Sequence, residues 1–169
     1  MEKTKLEIQY WGSKFLQTRC KPVKEFTDRI SEIFDEMQVL MKISDGIGLA
    51  ANQVGMNLRM VVIETKEGLF KLVNPVITKR KGKIKFKEGC LSFPGISLNI
   101  KRANKVWVSS FDDKGNSFEI EAEGLLAVVL QHEIDHINGI VFIDRVPFLK
   151  KLSLRKKLKE IEKKDKDGL

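Results

Sequence analysis

Six consecutive apolar residues, Leu125 to Leu130, run directly into Gln131-His132-Glu133-Ile134-Asp135-His136. The segment reads as one helix from Leu125 to Asn138, closed by Asn138-Gly139 in the manner of a C-cap. Its apolar run is far shorter than the roughly 20 residues that span a bilayer. A helix that is apolar nearly all round cannot lie on a surface, so other elements must enclose it. Whatever else the chain forms has to build that enclosure.

The remaining sequence offers the walls. Phe26, Ile30, Ile33, Phe34, Met37, Leu40 and Met41 make a helical stripe that Asp45-Gly46 ends. The period then changes. Met60 to Ile63, Leu69 to Val73, Ile84 to Phe86, Ile96 to Ile100, Val106 to Val108 and Phe118 to Ile120 read as short strands. Asp113-Lys114-Gly115-Asn116 marks a hairpin between the last two. The intervals are too short for repeated helical crossovers, which favours antiparallel or mixed pairing. A last helix, about Leu152 to Lys163, carries Leu154, Leu158 and Ile161 on one side. The expected fold is α+β, with mixed or antiparallel β-sheets packed around the central buried helix and a C-terminal helix beyond. With 169 residues and no internal repeat, one domain over 1–169 is expected, its end (152–169) forming a basic helix and tail.

His132 and His136 stand one helical turn apart on one face, so both rings can reach a single ion. Glu133 is rotated about 100° from His132. It can lie beside a metal without ligating it, which suits a general base acting on water. Two hydrogen-bonded structural histidines are the plainer alternative, but burial next to the apolar run favours metal binding.

Composition limits the third ligand. The chain has only two histidines, which excludes a three-histidine site. Downstream, Glu160 and Glu162 sit among Lys156, Lys157, Lys159, Lys163 and Lys164, where a solvated charged face explains them better. Cysteine remains, and thiolate with imidazole suits zinc or ferrous iron. Cys90, in Glu88-Gly89-Cys90-Leu91-Ser92, follows a strand-like run and a glycine that lets the backbone approach closely. Cys20 is the alternative, and cationic neighbours in Arg19-Cys20-Lys21 could lower its thiol pKa. Cys90 is favoured, with Glu88 either a group that orients a ligand or a member of an ordinary surface ion pair with a lysine. A disulfide between the two is disfavoured in a reducing compartment.

Gly46-Ile47-Gly48-Leu49-Ala50-Ala51-Asn52-Gln53 superficially matches a dinucleotide fingerprint. That fingerprint must follow a strand and open a helix, whereas a helix precedes this segment. Two readings remain: a loop of small residues against which a ligand can lie, with Gln53 offering an amide donor, or simply a tight helix-to-strand connection.

The formal charge of +8 fits polyanionic surroundings or simple solubility. Residues 150–169 carry nine Lys/Arg against four Asp/Glu. The leading residues lack the apolar stretch of a signal peptide, so a cytoplasmic protein without membrane attachment is expected.

Three segments occur in order: Gly46 to Gln53, Glu88 to Ser92, and Gln131 to His136. Together they resemble the motifs Gly-x-Gly-x-Ala-Ala-x-Gln, Glu-Gly-Cys-x-Ser and His-Glu-x-Asp-His of the peptide deformylase family, without a gap. The resemblance implies removal of the formyl group from N-formylmethionyl nascent polypeptides. It implies that Cys90, His132 and His136 hold one divalent metal, Fe2+ in the cell, with Zn2+, Ni2+ or Co2+ able to substitute. It implies Glu133 as acid/base, and Gln53 with the backbone N–H of Leu91 as an oxyanion hole. Ile47, Gly48, Leu125, Val128 and Val129 would line the methionine pocket and groove. A monomer is expected, with transient contact to ribosomal RNA through the basic C-terminal helix. Two rivals stand beside this reading. A small zinc peptidase would use the same helix but lacks its own third ligand, and a structural-metal or RNA-binding module would need a fourth.

Overall fold

The computed structural model describes residues 4–166. Residues 1–3 and 167–169, the outer ends of the expected domain and of the basic tail, lie outside the described residues. The elements are α1 (Asp28–Ile43), β1 (Gly48–Ala50), β2 (Met60–Thr65), β3 (Gly68–Lys81), β4 (Ile84–Gly89), β5 (Ser97–Arg102), β6 (Lys105–Phe111), β7 (Ser117–Glu123), α2 (Gly124–Ile137), α3 (Phe148–Ser153) and α4 (Arg155–Lys166). Short 3-10 turns lie at Lys14–Gln17, Ala51–Val54 and Phe142–Arg145.

The strands make a five-stranded sheet in the order β1-β2-β3-β6-β7 and a separate β4-β5 ribbon. Every strand ladder is antiparallel. The unbroken apolar run of β2 follows from burial on both faces. Val61 and Ile63 pack towards α2, while Met60 and Val62 pack towards α1. The long β3 bends where its register shifts after Val73. There Asn74 adopts φ 52°, and its amide both accepts from the Val23 N–H and donates to the Val23 carbonyl, each at 2.9 Å.

Helix α2 fulfils the enclosure argument. Every residue from Leu126 to Ile137 is buried. Its apolar half packs on β2, β6 and β7 through Leu126, Ala127, Leu130 and Ile134. It ends at Asn138 with Gly139 at φ 75°, a left-handed turn that glycine adopts without strain. A Cβ at Gly139 would also stand 2.9 Å from the Gln17 carbonyl oxygen, so close backbone approach demands glycine as well.

Two sequence expectations need correction. The C-terminal helix is two helices. The Leu154 N–H bonds to the Lys151 carbonyl, a tightened turn that ends α3 before α4 begins. Leu154, Leu158 and Ile161 still share one buried face, against Phe142 and Ile100. The small-residue segment is not only a loop, because Gly48 to Ala50 form strand β1 on the sheet edge, paired with Val61 to Ile63. Its small side chains let that edge lie against α2.

Candidate metal centre

The β4-β5 ribbon and α2 meet along the histidine turn, where Glu88 faces His132 and Arg102 faces Asp135. Cys90 follows β4 directly, and its Sγ lies 3.3 Å from His136 Nε2. His136 Nε2 is 3.2 Å from His132 Nε2. One donor atom from each of the three residues falls within 4.8 Å of the others, and among the described residues this cluster has three members.

The donor set fits a metal ion. Tetrahedral coordination with N and S bonds of about 2.1 and 2.3 Å implies ligand–ligand separations of about 3.4 to 3.6 Å, near those observed. The imidazole hydrogen-bonding is incomplete without a cation. His132 Nδ1 faces the Glu88 carboxylate at 2.8 Å, which leaves Nε2 as the ring nitrogen facing the cluster. His136 Nδ1 is buried with no partner among the described residues. Two imidazole nitrogens and a thiol sulfur crowded together leave more lone pairs than protons to share.

Behind the cluster runs a buried ionic relay. Arg102 donates from Nε and an Nη to the two Glu88 oxygens at 2.8 and 2.9 Å, and to Asp135 at 2.5 Å. Asp135 also accepts two hydrogen bonds from Arg145, at 3.0 and 2.5 Å. Burial would raise the Glu88 carboxyl, but the hydrogen bonds from Arg102 and His132 outweigh it and hold the group below the usual carboxylate range. Burial likewise opposes charge on His132, yet Cys90 and Glu88 carry it well above the ordinary imidazole range. Burial and the charges of His132 and Arg102 press His136 well below that range, so it stays neutral.

Glu133 occupies the other side of His132. It is 4 % exposed, and its Oε2 has no hydrogen-bond partner among the described residues. Burial pushes its carboxyl up to about 7. Gly48 stands so close that a Cβ there would lie 2.5 Å from Glu133 Oε1.

Gln53 reaches the cluster from the 3-10 turn after β1. Its Oε1 accepts the Ala50 N–H at 2.9 Å, so its amide nitrogen must face the site. That Nε2 lies 3.2 Å from Ser92 Oγ and 3.5 Å from Cys90 Sγ. Leu91 borders the same space, and its backbone N–H donates to no acceptor among the described residues.

A cleft of about 400 Å³ opens over these groups. Ile47, Gly48, Leu125, Val128 and Val129 all line it, with Gln53, Cys90, Leu91, His132 and Glu133. His136 lies beneath the floor, fully buried. The site residues expected from sequence pattern thus fold together. Phe93 and Ile96, unassigned from sequence, also line the cleft. Arg102, Asp135 and Arg145 were not foreseen. A signal for Arg102 was present: β5 alternates, with Leu98, Ile100 and Arg102 buried, so an arginine sits on an apolar face and needs an anionic partner.

Cys20, the alternative ligand, packs with Val61, Ile63 and Leu130 away from the cluster. The expected lowering of its thiol pKa is reversed. Burial pushes it up to about 11, and the opposing charge of Arg59 is the smaller effect. Both cysteines are free thiols.

A family model described as polypeptide deformylase matches residues 5–152. The peptide deformylase of Hydrogenovibrio crunogenus is 44 % identical over 159 residues, covering 92 % of this chain and 94 % of its own. That of Helicobacter pylori is 41 % identical over 169 residues, covering 95 % and 97 %. Among solved structures, the Thermus thermophilus peptide deformylase superposes with a TM-score of 0.89 at 35 % identity, covering 94 % of this chain and 98 % of that one. A plant peptide deformylase superposes at 0.91 and 36 % identity, covering 100 % and 96 %.

Proposed function

The chain belongs to the polypeptide deformylase family, and from that premise we propose that Cys90, His132 and His136 hold its divalent metal, Glu133 moves the proton, and Gln53 with the Leu91 N–H receives the oxyanion. The enzyme is a hydrolase that removes the N-formyl group from the N-terminal formylmethionine of nascent polypeptides and releases formate. The observation that carries the site assignment is the convergence of one sulfur and two imidazole nitrogens beside the buried Glu133 carboxylate, whose Oε2 has no hydrogen-bond partner among the described residues.

A metal held by these three residues supplies Lewis acidity toward a water molecule and a carbonyl oxygen. The protein's own groups do the rest. Glu133 takes a proton from the attacking water, and as the formamide C–N bond breaks it passes that proton to the departing amine nitrogen. Negative charge gathers on the formyl oxygen, where the Gln53 amide and the Leu91 N–H donate. Gln53 is pre-set for this because Ala50 fixes its other end. The apolar walls Leu125, Val128, Val129 and Ile47, with side-chain-free Gly48, suit an extended methionyl residue with a flexible thioether.

The sulfur and nitrogen donors suit Fe2+ or Zn2+, and we take Fe2+ as the ion used in the cell, with Zn2+, Ni2+ or Co2+ able to substitute. The reading includes a monomer working in the cytoplasm. Among the described residues no helix is long and apolar enough to cross a membrane. Transient contact with ribosomal RNA through α4 is supported by its exposed Lys156, Lys157 and Lys159. The test of the site is an anaerobic assay of formyl-Met-Ala-Ser with the unchanged chain, Glu133→Ala and Cys90→Ala. Glu133→Ala keeps the metal and loses turnover, and Cys90→Ala loses the metal. Formate release retained in both refutes the assignment.

A further inference from the structure

A second cavity, about 630 Å³, lies on the side of the Arg102 relay away from the cleft. Arg80, Lys83, Lys85 and Lys101 line it, over a floor that includes Arg102, Asp135 and Arg145. The floor charges are matched, because Arg102 and Arg145 face Glu88 and Asp135. The rim charges are not: none of those four side chains has an acidic or hydrogen-bonding partner among the described residues. Lys85 and Lys101 are direct cross-strand partners, an arrangement that costs stability rather than adding it.

The cavity belongs to the most concentrated cationic stretch of the chain. Six of the nine residues from Lys79 to Lys87 are Lys or Arg, with no acidic residue between them. Residues 150–159 spread the same number of cations over ten positions, and four acidic residues follow them by residue 167. The cations continue past the cavity to Lys81 at the end of β3, whose partner across the ladder, Lys105, is itself paired with Glu121. A ridge longer than its cavity suits an extended polyanion better than a single small anion. The most exposed apolar side chains, Phe148 and Leu149, lie on α3 and not on this rim, which argues against a lipid surface.

We propose that the β3-β4 turn and Lys101 form a docking surface for RNA, with backbone phosphates seated in the cavity among Arg80, Lys83, Lys85 and Lys101. The choice of RNA over other polyphosphates rests on the deformylase reading, because nascent chains emerge from an RNA-built machine. The surface is separate from α4 and from every residue assigned to catalysis.

The test is fluorescence anisotropy of the full chain with a labelled, unstructured oligoribonucleotide across a salt series. The triple variant K83E/K85E/K101E should weaken binding by about 10-fold or more and reduce the salt slope by about 2, since each single-strand phosphate contact contributes about 0.7. K156E/K159E removes the separate α4 contact and should weaken binding by less than the triple variant does. Formate release from soluble formyl-Met-Ala-Ser should be unchanged in both, which separates failure of docking from failure of the deformylase assignment. If the triple variant misfolds and loses that activity, the neutralising variant K83Q/K85Q/K101Q decides, with a smaller loss of RNA binding expected. RNA binding unchanged in a folded rim variant overturns the proposal. So does binding to anionic vesicles or tripolyphosphate without binding to RNA.

Discussion

Glu88 Oε2 lies 2.8 Å from His132 Nδ1 while both oxygens of the same carboxylate accept from Arg102. This contact sets the His132 tautomer. With Nδ1–H donated to Glu88, only Nε2 can face the cluster, and the ring cannot turn without abandoning a buried charge. Glu88→Gln should therefore weaken metal binding by about 10- to 100-fold. Competition with a chelator measures it. Turnover per bound metal should stay near that of the unchanged chain, because Glu88 orients a ligand and does not touch the substrate. The variant also leaves Arg102 short of one partner, and breaking a buried pair costs about 3 to 5 kcal/mol. A lowered Tm should accompany the metal loss.

Glu133→Ala separates chemistry from metal binding. Glu133 makes no hydrogen bond to a histidine ring, and its Oε2 is unengaged, so its removal leaves the Cys90, His132 and His136 cluster undisturbed. Metal content by atomic absorption should remain at one per chain, and formate release should fall by about 100- to 10,000-fold, the usual contribution of a general acid/base. Loss of metal along with activity would instead make Glu133 a structural support.

Much of the site could be read from the sequence because short local patterns carry it. The four-residue spacing of His132 and His136 fixes their shared face, and the scarcity of histidine and cysteine leaves few ways to close the cluster. The apolar run before them forces burial, and burial forces the enclosing sheets. What escaped depends on pairing register and backbone contacts. The register pairs Glu88 with Leu98 and Ile84 with Arg102, which puts Glu88 and Arg102 on one face of the ribbon so that their long side chains meet along it, and no residue pattern states that register. The N-terminal segment holds Gln53 and Ser92 through backbone bonds, Gln9 N–H to Gln53 O at 2.7 Å and Trp11 N–H to Ser92 O at 3.1 Å, which have no side-chain signature at all. The break between α3 and α4 escaped because the helical spacing of Leu154, Leu158 and Ile161 begins at the junction residue itself and carries no mark of what precedes it.

Gly48→Ala tests how closely β1 seats the Glu133 carboxylate, the proposed acid/base. The new Cβ would stand 2.5 Å from Glu133 Oε1 and 2.9 Å from its Cδ, well inside contact distance. The yielding group is the far end of a side chain and not backbone, so the fold should persist. A displacement approaching 1 Å at a reacting group costs about 100-fold in rate. The expected result is a kcat reduced by about that factor, with metal content unchanged and the thermal unfolding curve nearly superimposable. A variant as active as the unchanged chain would show that Glu133 works from a different position.

Cys20 gives a pH dependence that belongs to the fold and not to the site. Burial against Val61, Ile63 and Leu130 raises its thiol from near 9 to about 11, with Arg59 opposing. Above pH 9 the unfolded chain releases this proton and the folded chain does not. The unfolded state then binds fewer protons, so stability is complete below about pH 9 and falls as pH rises towards 11. A two-unit shift corresponds to at most about 2.7 kcal/mol. Lysines titrate in the same window, so the diagnostic quantity is the difference between chains. Urea unfolding at pH 8 and pH 10 should show a steeper loss for the unchanged protein than for Cys20→Ala, even though the cavity left by alanine lowers the variant's stability at both. Equal losses would mean that the Cys20 thiol ionises in the folded state as readily as in the unfolded one. The same burial predicts that Cys20 resists alkylation in the native protein at pH 8 and becomes reactive on unfolding, so labelling followed by mass spectrometry checks the point independently.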